Sequence, residues 1–98
     1  MKVRFTAEAK QDIGAIGDFI ALDNPLRAFE FVTELRAKCL DLENFPKRFP
    51  LVPRIIQAGI RKRTYGNYLI FYRIDASCVT VLHVLNGAMD YLPLLEGE

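Results

Sequence analysis

The sequence predicts an α+β fold: a two-helix hairpin packed on a small, mainly antiparallel, twisted sheet. Three observations carry this. The first half of the chain repeats apolar residues at helical spacing. The second half consists of β-rich runs divided by short turn signals. A stretch punctuated by Pro46, Pro50 and Pro53 separates the halves. The element order is β-α-α-β-β-β, and the 98 residues are expected to form one domain spanning 1–98.

Lys2 to Phe5 alternates polar and apolar residues, as a short strand does. Thr6 is suited to cap a helix, with Glu8 in its first turn. Ala9, Ile13, Ile16 and Ile20 then define an apolar helix face, with Phe19 beside it. Gly14 and Gly17 either weaken this helix, by about 1 kcal/mol each relative to Ala, or allow a neighbour to approach closely. Asp23-Asn24-Pro25 ends it and opens a second helix, because Asn24 can cap and Pro25 has no N–H to leave unpaired. Ala28, Val32, Leu35, Cys39 and Leu42 repeat on the face of that helix, and Phe29, Phe31, Leu40 and Phe45 broaden it. A connection this short makes the helices an antiparallel hairpin.

After the proline loop, Ile60 to Tyr65 reads as a strand and Gly66-Asn67 as a turn. Tyr68 to Ile74 and Cys78 to Leu85 read as two more strands across the turn Asp75-Ala76-Ser77. Short turns make these three antiparallel neighbours, and the first strand is expected at a sheet edge. Tyr68, Ile70, Tyr72 and Ile74 fall on one face of their strand, Leu69 and Phe71 on the other. One face meets the helices; the other meets the tail, a partner, or both. Pro93 argues against a long helix in the tail, Ala88 to Leu95.

Composition narrows the function classes. The chain is 51% hydrophobic and 26% charged, too apolar for a disordered protein. So much apolar content in so short a chain means either a dense core or surface left over for a partner. The net charge of +1 predicts no polyanion partner by itself. From Asn44 to Ile74, however, the chain carries Lys47, Arg48, Arg54, Arg61, Lys62, Arg63 and Arg73 with no Asp or Glu. Beyond Ile74 the charged residues are Asp75, Asp90, Glu96 and Glu98, with no Lys or Arg. Cys39 and Cys78 have no metal-site spacing and read as buried thiols. No signal-like or membrane-length apolar run is present, so a cytoplasmic protein without membrane contact is expected. Phosphate-binding glycine loops, paired carboxylates and nucleophile constellations are also missing, and neither metal nor cofactor is expected.

The ordered combination of a strand, a helix, Asp23-Asn24-Pro25, a proline loop, Gly59-Ile60-Arg61, Tyr68-Leu69-Ile70-Phe71-Tyr72-Arg73-Ile74 and Val81 to Asp90 resembles the RelE/ParE superfamily of bacterial toxins. The likeness spans almost the whole chain and is nearest to the ParE type. It implies the toxin half of a type II toxin–antitoxin pair, in a setting of plasmid stabilisation or bacterial stress response. A ParD-like or other cognate antitoxin would neutralise it by wrapping a C-terminal segment around the toxin. ParE-type members poison DNA gyrase by binding; RelE-type members cut mRNA on the ribosome.

Metal-free RNA cleavage needs a base, cations for the phosphorane charge, and an acid. Under the ribonuclease alternative those groups would be Arg61, Arg63, Arg73, His83 and Tyr91. Arg61 and Arg63 alternate along one strand and so share a face. Against this, Tyr68 stands where the ribonuclease branch usually carries Arg, Asn86 where His is common, and Met89 where the terminal Arg is common. His83 sits alone in an apolar run, where a structural histidine is the commoner case; Tyr68 and Tyr72 read as core. The favoured reading is therefore a gyrase poison acting without catalysis. Its target- or antitoxin-binding residues would be Arg61, Arg63, Arg73, Asn86 and Asp90, with nucleic-acid contact at most indirect. A degenerate member that binds antitoxin but poisons nothing is a third reading.

Overall fold

The computed structural model describes residues 1–97. β1 (Lys2–Phe5) leads into α1 (Ala7–Ala21) and α2 (Pro25–Leu40). Three short 3-10 turns follow at Asp41–Glu43, Pro46–Arg48 and Ile56–Ala58. The chain then forms β2 (Ile60–Tyr65), β3 (Tyr68–Asp75), β4 (Cys78–Asn86) and a single helical turn, α3 (Leu92–Leu95). The caps are those the sequence suggests. Thr6 accepts from the Ala9 amide, and Asn24 accepts from the Arg27 amide with Pro25 at the first helical position.

The sheet order is β1-β4-β3-β2. β2, β3 and β4 form an antiparallel meander, and β1 adds to the free edge of β4 in parallel. The main core lies between helices and sheet. Ala9, Ile13 and Ile16 of α1 and Leu35 and Cys39 of α2 pack with Leu42 on Ile70, Tyr72, Val79, Val81 and Val84. Val32 is half-buried beside them. A second core covers the opposite face: Val52, Ile60, Leu69, Phe71, Leu82, Leu85 and Leu95, flanked by Tyr91 and Leu92. The proline loop and the tail thus cover the second sheet face, and strand alternation decides which residues go to which core.

Three differences from the sequence reading have clear causes. The α-helix stops at Leu40, and Leu42 is buried from a 3-10 turn instead. Phe19, Phe29, Leu40 and Phe45 point outward, while Phe31 packs on Tyr65 and Tyr68. The apolar excess therefore makes both a dense core and exposed surface. The two helical glycines also differ. A Cβ on Gly17 would sit 3.1 Å from Val32 Cγ2, so Gly17 lets the helices close, whereas one on Gly14 would meet nothing within 4 Å.

Candidate functional site

Arg61 and Arg63 do share a face of β2, and that face is turned toward the helices. The Arg61 guanidinium donates to the Lys47 carbonyl at 3.1 Å and the Phe49 carbonyl at 2.7 Å. Arg63 donates to the Lys38 carbonyl and to Asp41 Oδ2, each at 3.0 Å. Its guanidinium also lies 4.7 Å from the centre of the Phe49 ring, with Arg48 4.8 Å from the same ring. The Tyr72 hydroxyl donates to the Pro46 carbonyl. Together β2 and β3 hold down the end of α2 and the proline loop. The Arg63 contact keeps the Asp41 carboxyl below its ordinary range, with Asn44 adding to it. Burial raises the Tyr72 phenol above its own.

Arg73 is on the other face. Its register partners are Ile60 and Thr80, and Thr80 in turn pairs with Arg4, so one row crosses four strands. Arg73 Nε donates to Asp75 Oδ1 at 2.8 Å, and Arg4 Nε donates to the Thr80 hydroxyl at 3.0 Å. Burial pushes the Asp75 carboxyl up, but the Thr80 hydroxyl and the Arg73 guanidinium outweigh it and leave the carboxyl below the usual range.

His83 sits beside a bulge. Phe71 pairs with His83 and Tyr72 with Val81, which leaves Leu82 as an extra residue in β4. There β1 has ended, and the start of α1 takes over its edge of β4. The Thr6 amide and hydroxyl donate to the carbonyls of Val81 and Leu82. Asp12 Oδ2 accepts from the Val84 amide at 3.0 Å and lies 2.9 Å from His83 Nδ1. A carboxylate can only accept, so Nδ1 carries the proton. His83 is 8% exposed. Sequence reasoning missed Asp12. A lone histidine in an apolar strand needs a partner, and an acid bordering the buried stripe of α1 was the signal.

Tyr91 lies on the second core, its ring 4.8 Å from that of Phe71. Asn86 is exposed at the far end of the sheet, where its Oδ1 accepts from the Ala88 amide at 2.8 Å. It lines an open groove of about 480 Å³ with Tyr68, Leu69 and Gly87. Asp90 is exposed in the following tail. The fold brings Arg61 and Arg63 together. It separates them from Arg73 by the thickness of the sheet, and it sets Asn86 about five residues, ~17 Å, along the strands from Arg73.

Cys39 is buried, its thiol pushed up to about 12 by loss of solvent, which suits an inert core residue; Cys78 is only partly buried. Among the described residues no group of three His, Cys, Asp or Glu is placed to hold a metal ion. No described helix is long and apolar enough to cross a membrane.

Comparison with solved structures finds this architecture in chains of two bacterial toxin–antitoxin systems. A chain of the chromosomal ParDE toxin–antitoxin system from P. aeruginosa superposes with a TM-score of 0.77 at 19% identity, over 88% of this chain and 95% of that one. A chain of the toxin–antitoxin complex RelBE2 from Mycobacterium tuberculosis superposes with a TM-score of 0.65 at 26% identity, over 87% and 95%. A search of curated proteins by sequence finds no match. The family model for the ParE toxin of type II toxin–antitoxin systems, parDE, matches residues 3–91. The chain belongs to the ParE toxin family.

Proposed function

We propose that this ParE-type toxin acts in the cytoplasm by binding DNA gyrase, without catalysis of its own, and that a cognate antitoxin neutralises it. One observation supports binding over catalysis: the five groups a ribonuclease would need do not converge. Arg61 and Arg63 are tied to carbonyls and Asp41 on the helix side. Arg73 is tied to Asp75 on the opposite face. His83 lies against Asp12, and Tyr91 against Phe71. Acid–base catalysis requires such groups within hydrogen-bond reach of one reacting atom. The antitoxin reading draws support from the exposed apolar residues of the hairpin and from the acid-free stretch between Asn44 and Ile74. Within this reading Arg61 and Arg63 shape the binding surface by fixing its backbone, Arg73 does so by holding the Asp75 side chain, and Asn86 and Asp90 are its exposed contacts.

The test incubates purified toxin with gyrase and supercoiled plasmid, and in parallel with translating ribosomes. Gyrase inhibition is expected. His83→Asn, which keeps a donor where Nδ1 stands, and Tyr91→Phe are both expected to retain toxicity. Ribosome-dependent mRNA cleavage that drops on the order of a hundred-fold in either variant would overturn this and install the RelE-type alternative.

A further inference from the structure

The loop after α2 holds Phe45 in an unfavourable place. Phe45 has φ 55° and ψ 57°, a left-handed conformation, although it is neither glycine nor asparagine. It also precedes a proline, which disfavours helical geometry at that position. Its side chain gains little from this, being 76% exposed. The surrounding bonds impose the conformation. The Arg48 amide donates to the Phe45 carbonyl at 3.0 Å, Tyr72 holds the Pro46 carbonyl, and Arg61 holds the carbonyls of Lys47 and Phe49. Strain kept in place by several independent contacts is a mark of function.

The ring forms one wall of an open groove of about 550 Å³ lined by Met1, Phe45, Pro46, Lys47, Arg48 and Ile74. This volume is within the range of sites that take a ligand, about 300–1,000 Å³. Its floor is apolar, and Lys47 and Arg48 supply the charge at its margin. Arg48 Nη2 lies 3.8 Å from Asp41 Oδ2, an oxygen that Arg63 already engages at 3.0 Å. Exposed Lys2 and Arg4 follow Met1 along β1.

The geometry points to this groove as the docking site for an acidic peptide segment that inserts a bulky apolar side chain beside Phe45 and sets its carboxylates against Lys47 and Arg48. Assigning the segment to the antitoxin rests on the proposed function above. An apolar floor of side-chain size with two cations at its margin matches such a segment. A nucleic-acid backbone would leave the floor unused.

The test uses the synthetic peptide Glu-Asp-Phe-Glu-Leu-Asp-Glu, an analogue with Lys in place of every acid, and the whole product of the neighbouring gene. The acidic peptide is expected to shift the amide resonances of Phe45, Lys47, Arg48 and Ile74, and the Lys analogue is not. Phe45→Gly removes the ring and relieves the strain, so its melting temperature should be unchanged or higher. Its affinity for the acidic peptide and for the whole antitoxin should nevertheless fall at least tenfold. The exposed double change Lys47→Glu with Arg48→Glu should do the same. If the acidic peptide leaves these resonances unmoved, the groove assignment is wrong. If the antitoxin binds wild type and both variants equally, the assignment is wrong and the antitoxin reading survives. If the peptide binds as expected but the antitoxin does not bind wild type, the groove stands and the antitoxin reading falls.

Discussion

At the scale of single residues, the basic side chains that look like a charged site are largely fasteners. Arg63 is the clearest case. Its side chain is only 12% exposed, and it bonds both a backbone carbonyl and Asp41. Hydrogen bonds to a charged group contribute about 1.5–3 kcal/mol. Arg63→Ala is therefore expected to cost about 2 kcal/mol in urea denaturation, with Arg63→Lys intermediate because the ammonium keeps the charge but not the planar contact with the Phe49 ring. A loss under about 0.5 kcal/mol, the usual range for a surface change, would make Arg63 an ordinary solvated cation. Sequence alone left that choice open for Arg61 and Arg63, because alternation puts them on one face without saying what that face meets.

At the scale of elements, the helix hairpin rests on one close approach. Gly17 lies where a Cβ would crowd Val32, while Gly14 faces open space on the same helix. The two glycines therefore separate helix propensity from packing. Gly14→Ala should stabilise the fold by about 1 kcal/mol, the propensity difference in a helix interior. Gly17→Ala should gain nothing or lose stability, because Val32 must move away. Equal melting-temperature gains in both variants would show that the hairpin does not need the contact. The sequence offered propensity loss and close approach as alternatives for both positions, and tertiary packing assigns one to each.

At the scale of the whole molecule, charge and apolar surface are unevenly distributed. The hairpin tip exposes Phe19, Leu22, Leu26 and Phe29 alongside Asp18, Asp23 and Glu30. The groove beside Phe45 is bordered by Lys47 and Arg48. Acid stability belongs to this scale too, since Asp75 joins the turn between β3 and β4 to Arg73. The folded Asp75 carboxyl titrates below its unfolded value. Its contribution is complete above the ordinary Asp range, near pH 4, and disappears as pH falls through the folded value. Asp75→Asn should lower the melting temperature at neutral pH and flatten its fall below the ordinary Asp range. An acid limb as steep as wild type would remove Asp75 from the account.

The sequence by itself determined the element order, both helix caps, the strand faces and the family. These follow from short-range rules: period 3.6 or 2, cap chemistry, and turns between neighbouring strands. Tertiary structure decided what no local rule contains. It paired His83 with Asp12 across 71 positions of chain and Arg63 with Asp41 across 22. It turned Arg73 away from Arg61, because register partners share a face, successive residues alternate between faces, and Arg73 pairs with Ile60, the neighbour of Arg61. It also exposed Phe45, whose helical spacing reads as core, because the loop bonds around Pro46 outweigh the burial of one ring. Hydrophobic periodicity specifies which side of an element is apolar. Only the packed molecule specifies how far that side is covered.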